Sequence, residues 1–122
     1  MKLIRIKSPN FDKVSRKIRF VIIHYTGMQS LRASLKRLTS KKHKVSSHYL
    51  IDRTGKIIKL VDDNNVAWHA GKSRWQNFKN LNRLSIGIEL VNKGHQFGYQ
   101  NFSTPQISGL KKLCLFLKKK HK

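Results

Sequence analysis

The amino-acid sequence predicts an α/β domain, a mixed central β-sheet flanked by helices, and three observations predict it. Phe20-Val21-Ile22-Ile23-His24-Tyr25 is a short β-rich apolar run that reads as a strand buried on both faces. Leu84-Ser85-Ile86-Gly87-Ile88-Glu89-Leu90 alternates strictly, the period of a strand with one apolar face. Apolar residues also recur at helical spacing, first at Leu31, Leu35 and Leu38, then at Ile107, Leu110, Leu113, Cys114 and Leu117.

Taken in order, Thr26 and Gly27 end the first run, and Ser30 is placed to cap the helix that carries Leu31, Leu35 and Leu38. A basic loop from Lys41 to Lys44 follows. Ser47 to Ile51 and Lys56 to Val61 then form a hairpin around Arg53-Thr54-Gly55, where Gly55 can take a positive φ. Val66-Ala67-Trp68-His69 is a further short strand or extended segment, and Ala70-Gly71 leads into a polar loop through Asn82. After the alternating strand, Thr104 as cap with Pro105 at the first helical position opens the last helix. The order β-α-β-β-β-β-α suits a sheet covered by helices. The 122 residues make a single domain, 1–122, able to bury roughly two-thirds of its unfolded surface.

Composition narrows the function classes. A hydrophobic content of 39% excludes a disordered polyelectrolyte. The 27 Lys and Arg against 5 Asp and Glu give a formal charge of +22, a field that attracts nucleic acid, anionic lipid or carboxylate-bearing wall polymer. Lysine enrichment from genome composition accounts for the charge equally well. The pattern shows neither a basic recognition helix nor basic residues interleaved with aromatics, so no specific nucleic-acid partner is expected. Cys114 stands alone, which leaves no disulfide framework and suits a small buried hydrophobe. No stretch approaches the roughly 20 apolar residues of a membrane span. Residues Met1 to Lys7 alternate charged and apolar side chains and lack the continuous apolar core of a secretory signal, so the cytoplasm is the expected location. The sequence leaves the oligomeric state open.

Glu89 is the single glutamate. Alternation places it on the face opposite Ile86 and Ile88, beside Gly87, which leaves open space next to it. A carboxyl in a shielded cleft has its pKa raised toward the range of a general base; a strand carboxylate neutralised by a lysine is the bland alternative. His24 ends a buried strand, where imidazoles serve either as zinc ligands or as hydrogen-bonded structural residues. His48 and His69 lie on other strands and could face the same cleft, although no pair has the spacing that marks a metal site by itself. Tyr25, Tyr49, Trp68 and Trp75 offer surfaces that grip sugars and amides, or else pack the core.

Four segments in order, Val21-Ile22-Ile23-His24-Tyr25-Thr26-Gly27, Val45-Ser46-Ser47-His48-Tyr49-Leu50-Ile51, Ala67-Trp68-His69-Ala70-Gly71 and Ser85-Ile86-Gly87-Ile88-Glu89-Leu90-Val91-Asn92, resemble the type 2 N-acetylmuramoyl-L-alanine amidases. That family includes AmpD- and AmiD-like enzymes and, more distantly, phage T7 lysozyme and the peptidoglycan recognition proteins. The resemblance implies a mixed sheet with Zn2+ at one end, and hydrolysis of the amide between N-acetylmuramic acid and L-alanine in peptidoglycan or muropeptide. It implies that His24 is a zinc ligand, that Glu89 is the catalytic base, and that His69, with Trp68, His48 and Tyr25, lies at the substrate. It also implies a departure. The family's last strand and loop, with a second zinc histidine, an aspartate ligand and a lysine, have no counterpart here, so the domain is expected to be incomplete at its C-terminus. His121 is expected on a fraying helix end. A domain that binds muropeptides without cleaving them, and a basic protein bound to nucleic acid, are the competing expectations.

Overall fold

A computed structural model of the chain describes all residues except 71–73, 76–77, 99 and 122, and the side chains of 74 and 75. Its elements run β1 (Leu3–Arg5), β2 (Phe11–Asp12), β3 (Phe20–Tyr25), α1 (Leu31–Leu38), β4 (Tyr49–Ile51), β5 (Ile57–Lys59), β6 (Val66–Ala67), β7 (Arg74–Trp75), β8 (Phe78–Lys79), α2 (Leu81–Leu84), β9 (Ser85–Leu90), a 3-10 turn (His95–Phe97) and α3 (Thr104–His121). Five strands make one mixed sheet in the order β1-β5-β4-β9-β3. Its β4–β5 hairpin is antiparallel and its other pairings are parallel. Two-stranded ribbons, β2–β6 and β7–β8, stand apart from it.

The sheet is covered on both faces, as the α/β prediction requires. On one side Tyr49, Ile51, Ile57, Ile86, Ile88 and Leu90 pack against Leu113 and Leu117 of α3. On the other, Leu50, Ile58, Leu60 and Val91 pack with Leu38 of α1 and are flanked by its Leu31 and Leu35. The alternation of β9 thus sends Ile86, Ile88 and Leu90 toward α3 and turns Ser85, Gly87 and Glu89 toward the α1 side. Ser30 caps α1, its hydroxyl accepting from the Ala33 amide at 3.0 Å. Gly55 holds φ +91° in the hairpin turn, where Asp52 accepts from the Thr54 and Lys56 amides.

Several expectations are corrected. β3 is not buried on both faces. It lies at the sheet edge, and Val21 and Ile23 are 40% and 48% exposed. An apolar run alone does not distinguish a central strand from an edge whose outer flank is open. Leu84 ends α2 instead of opening the strand. Val66 and Ala67 pair with β2 and not with the main sheet. The expected loop from Ala70 to Asn82 contains the β7–β8 ribbon and α2, with 71–73 and 76–77 outside the described residues. The cap of α3 is Ser103, whose hydroxyl accepts from the Gln106 amide at 3.2 Å, one residue before the predicted Thr104. Gln106 is fully buried and donates to the carbonyls of Ile51 and Val91, tying α3 to the sheet beyond its apolar stripe.

The end of α3 is also anchored, not fraying. His121 Nε2 lies 2.9 Å and Lys120 Nζ 3.1 Å from Oδ2 of buried Asp63, whose Oδ1 accepts from the Tyr49 hydroxyl at 2.7 Å. Burial alone would raise the proton affinity of this carboxyl. The bonds from His121 and Tyr49, with Lys59 and Lys120 nearby, outweigh it and hold the pKa at about 2.

Candidate active site

The parallel pairing of β3 with β9 brings the two principal candidates together. His24 and Glu89 are register partners, so both side chains leave the same face of adjacent strands. On the other flank of Glu89 stands Leu50, fully buried. The carboxyl is therefore lodged between an apolar wall and an imidazole, and Glu89 Oε2 is buried with no hydrogen-bond partner among the described residues. Burial raises its pKa from 4.5 to about 7, against a smaller lowering by the positive charge of Arg37. Glu89 opens onto a cleft of about 200 Å3 lined also by Thr26, Ser34, Arg37, Trp68 and His69.

His24 is part of a directed chain of hydrogen bonds. The Ser85 hydroxyl donates to the Leu81 carbonyl at 2.6 Å, so toward His69 Nε2, 3.0 Å away, it accepts. That places the proton of His69 on Nε2 and leaves Nδ1 to accept from His24 Nε2–H at 3.0 Å. His24 Nδ1 is then a lone pair without a partner among the described residues. Burial lowers the pKa of His24. It also lowers that of His69 to about 3, with further lowering by His24, His48 and Arg16, so both rings are neutral at neutral pH.

His69 is held against β9 where it lines the cleft. Its ring lies against the backbone of Gly87, where an added Cβ would come within 2.4 Å of His69 Cγ. The space expected beside Glu89 is filled by this imidazole. His69 lines the cleft, but both of its nitrogens are spent on His24 and Ser85.

His48 is fully buried, which contradicts the expectation that it meets substrate. Its Nδ1 accepts from the Gly87 amide at 3.0 Å and its Nε2 donates to the Asn65 carbonyl at 2.8 Å. Burial pushes its pKa down to about 4, so it is a neutral clamp between β9 and the 60s loop. Trp68 lines the cleft, with its indole N–H held by Asp12 Oδ2 at 3.1 Å. Tyr25 is 47% exposed, and strand alternation turns it to the face opposite His24. Its hydroxyl meets His95 Nδ1 at 3.2 Å, and Thr26 and Met28 line the cleft in its place. The side chain of Trp75 lies outside the described residues.

Sequence reasoning missed Arg37 and Ser34. The available signal was their spacing on α1, three residues apart and on the side of the helix that carries buried Leu38. Among the described residues no three His, Cys, Asp or Glu side chains cluster as metal ligands. His24 is a fitting donor, neutral with a free nitrogen, but one imidazole does not make the set of three protein ligands that a catalytic zinc takes. The chain's described residues therefore do not fit a zinc ion.

A family model described as N-acetylmuramoyl-L-alanine amidase matches residues 14–122. The amidase AmiD of Escherichia coli is 45% identical over 87 residues, covering 66% of this chain and 30% of that protein. The 1,6-anhydro-N-acetylmuramyl-L-alanine amidase AmpD of Haemophilus influenzae is 33% identical over 111 residues, covering 75% of this chain and 60% of that protein. Among solved structures, E. coli AmiD in complex with anhydro-N-acetylmuramic acid-L-Ala-D-gamma-Glu-L-Lys superimposes with a TM-score of 0.80 at 35% identity, covering 88% of this chain and 46% of that one. The chain thus spans from under a third to three-fifths of the length of these curated relatives. With the matched family model extending over β3, β4, β5 and β9 of the sheet, the cleft and α3, this chain belongs to the N-acetylmuramoyl-L-alanine amidase family.

Proposed function

We propose that the cleft receives a muropeptide and that Glu89 is the general base for hydrolysis of the amide joining N-acetylmuramic acid to L-alanine. The observation that carries this reading is the orphaned, buried Glu89 carboxyl, poised near neutrality beside His24. As the carboxylate, Glu89 takes a proton from water while the water oxygen bonds to the amide carbon. Returned to the L-alanine nitrogen, that proton lets the C–N bond break, giving a free muramyl carboxylic acid and a free peptide amine. Trp68 supplies an apolar wall for the sugar or the amide. The zinc that the family resemblance implies would supply Lewis-acid chemistry at such a site, and of its ligands this chain's described residues offer His24.

That single donor favours a second reading, a domain that holds muropeptide without cleaving it. One experiment separates the two. The chain is incubated with anhydro-N-acetylmuramic acid-L-Ala-D-gamma-Glu-L-Lys, with and without added Zn2+, and peptide release is followed by mass spectrometry. Release that falls about 100-fold or more in Glu89→Gln supports the hydrolase. Binding without release under both conditions supports the second reading, and release indifferent to Glu89→Gln refutes the role given to that residue. If the chain instead binds DNA with a steep salt dependence and ignores muropeptide, the charge-based reading holds.

A further inference from the structure

Arg37 is exposed on α1 and lines the same cleft as Glu89, Trp68 and His69. It makes no hydrogen bond or ion pair among the described residues. The reason lies in the supply of acids, since the whole sequence has 5 against 27 basic residues. Asp12 holds the Trp68 indole and Asp52 closes the hairpin turn. Asp62 pairs with Arg5 and Lys59, and Asp63 with Lys59, Lys120 and His121. Glu89 stands beyond ion-pair distance of Arg37. An exposed guanidinium lining the cleft is thus left with its fork of donors unpaired among the described residues, and that fork matches a carboxylate bidentately.

Resting on the muropeptide reading above, we propose that Arg37 is a specificity-determining residue that binds a free carboxylate of the stem peptide one residue beyond the scissile amide. In a γ-linked glutamate that follows L-alanine, as in the peptide bound to E. coli AmiD, the α-carboxylate is left free. From the L-alanine nitrogen it lies about one to two extended residues away, roughly 4–7 Å. With the amide at Glu89, that reach suits a guanidinium that lines the same cleft beyond ion-pair distance of it.

The test titrates N-acetylmuramoyl-L-alanyl-D-isoglutamyl-L-lysine and its isoglutaminyl counterpart, in which only the free α-carboxylate of the glutamate is replaced by an amide, by calorimetry. Both are added to the Glu89→Gln chain, which leaves them uncleaved, and to the same chain carrying Arg37→Gln or Arg37→Lys. The expected result is about tenfold tighter binding of the acid, abolished by Arg37→Gln and partly kept by Arg37→Lys. Equal binding of acid and amide, or a preference that survives Arg37→Gln, overturns the proposal and leaves the muropeptide reading standing. If neither ligand binds the Glu89→Gln chain with Arg37 intact, both fall. Arg37 is exposed, so its replacement spares the core, and unchanged circular dichroism verifies this.

Discussion

Replacing Glu89 by Gln should make the protein more stable at alkaline pH, because a carboxyl set up as a base is a burden to the fold. Its proton is held to about pH 7 in the folded chain against 4.5 ordinarily. Below 4.5 the group is protonated in both states and costs nothing. Between 4.5 and 7 the unfolded chain ionises while the folded one does not, and the penalty grows. Above 7 it is complete. Its full size is about 3 kcal/mol, the free energy of ionising in the fold a carboxyl whose Oε2 has no donor among the described residues. Glutamine keeps the shape and removes the ionisation. Urea unfolding of both proteins from pH 4 to 8.5 should show midpoints that nearly coincide at pH 4, with the variant ahead by about 3 kcal/mol at 8.5. A difference that does not change with pH would refute the reasoning, for it would mean that Glu89 titrates alike folded and unfolded.

The same carboxyl sets the reaction's pH dependence: if Glu89 is the base, kcat/KM rises with pH through about 7, and a flat profile from 5 to 9 removes it from that role. Gly87→Ala drives a Cβ into the His69 ring, so a loss of about 1–3 kcal/mol is expected, together with a changed His24 imidazole nitrogen spectrum. An unaltered spectrum would show that the His24–His69 bond does not depend on the glycine. Asp63→Asn keeps an Oδ1 acceptor for Tyr49 but removes the charge and replaces the Oδ2 acceptor shared by Lys120 and His121 with an NH2 donor, at a cost of roughly 2–4 kcal/mol near neutral pH. Since the pKa of this carboxyl is depressed from 3.8 to about 2, the native advantage is present in full above 3.8 and disappears as pH falls through 2. Stability curves of the two proteins that stay parallel down to pH 2 would contradict that account.

What was legible in the sequence was whatever depends on local period. The alternation of 85–90 fixed which side chains of β9 face α3, and with it the face that carries Glu89. The Ser30 cap and the Gly55 turn followed from residue chemistry alone. Neighbour order in the sheet was not legible, because it depends on contacts remote in sequence. The edge position of β3, the parallel pairing of Leu3–Arg5 with β5 and the burial of Gln106 under two carbonyls are all of this kind. So is the anchoring of His121 by Asp63, 58 residues away.

The three histidines show what this means for the site. On separate strands they were all candidates for one cleft, His24 as a zinc ligand and His69 and His48 at the substrate. Burial and partners give each a different task. Gly87 decides the division, since its amide donates to His48 from one side while its missing side chain admits the His69 ring on the other. His69, fixed there and oriented by Ser85, in turn commits the proton of His24 to Nε2. The atom that a ligand finds on β3 is therefore selected by a glycine on β9. A search for metal-ligand spacing passes over that residue, because it contributes an amide proton and an absence of bulk, and neither belongs to the pattern of any donor set.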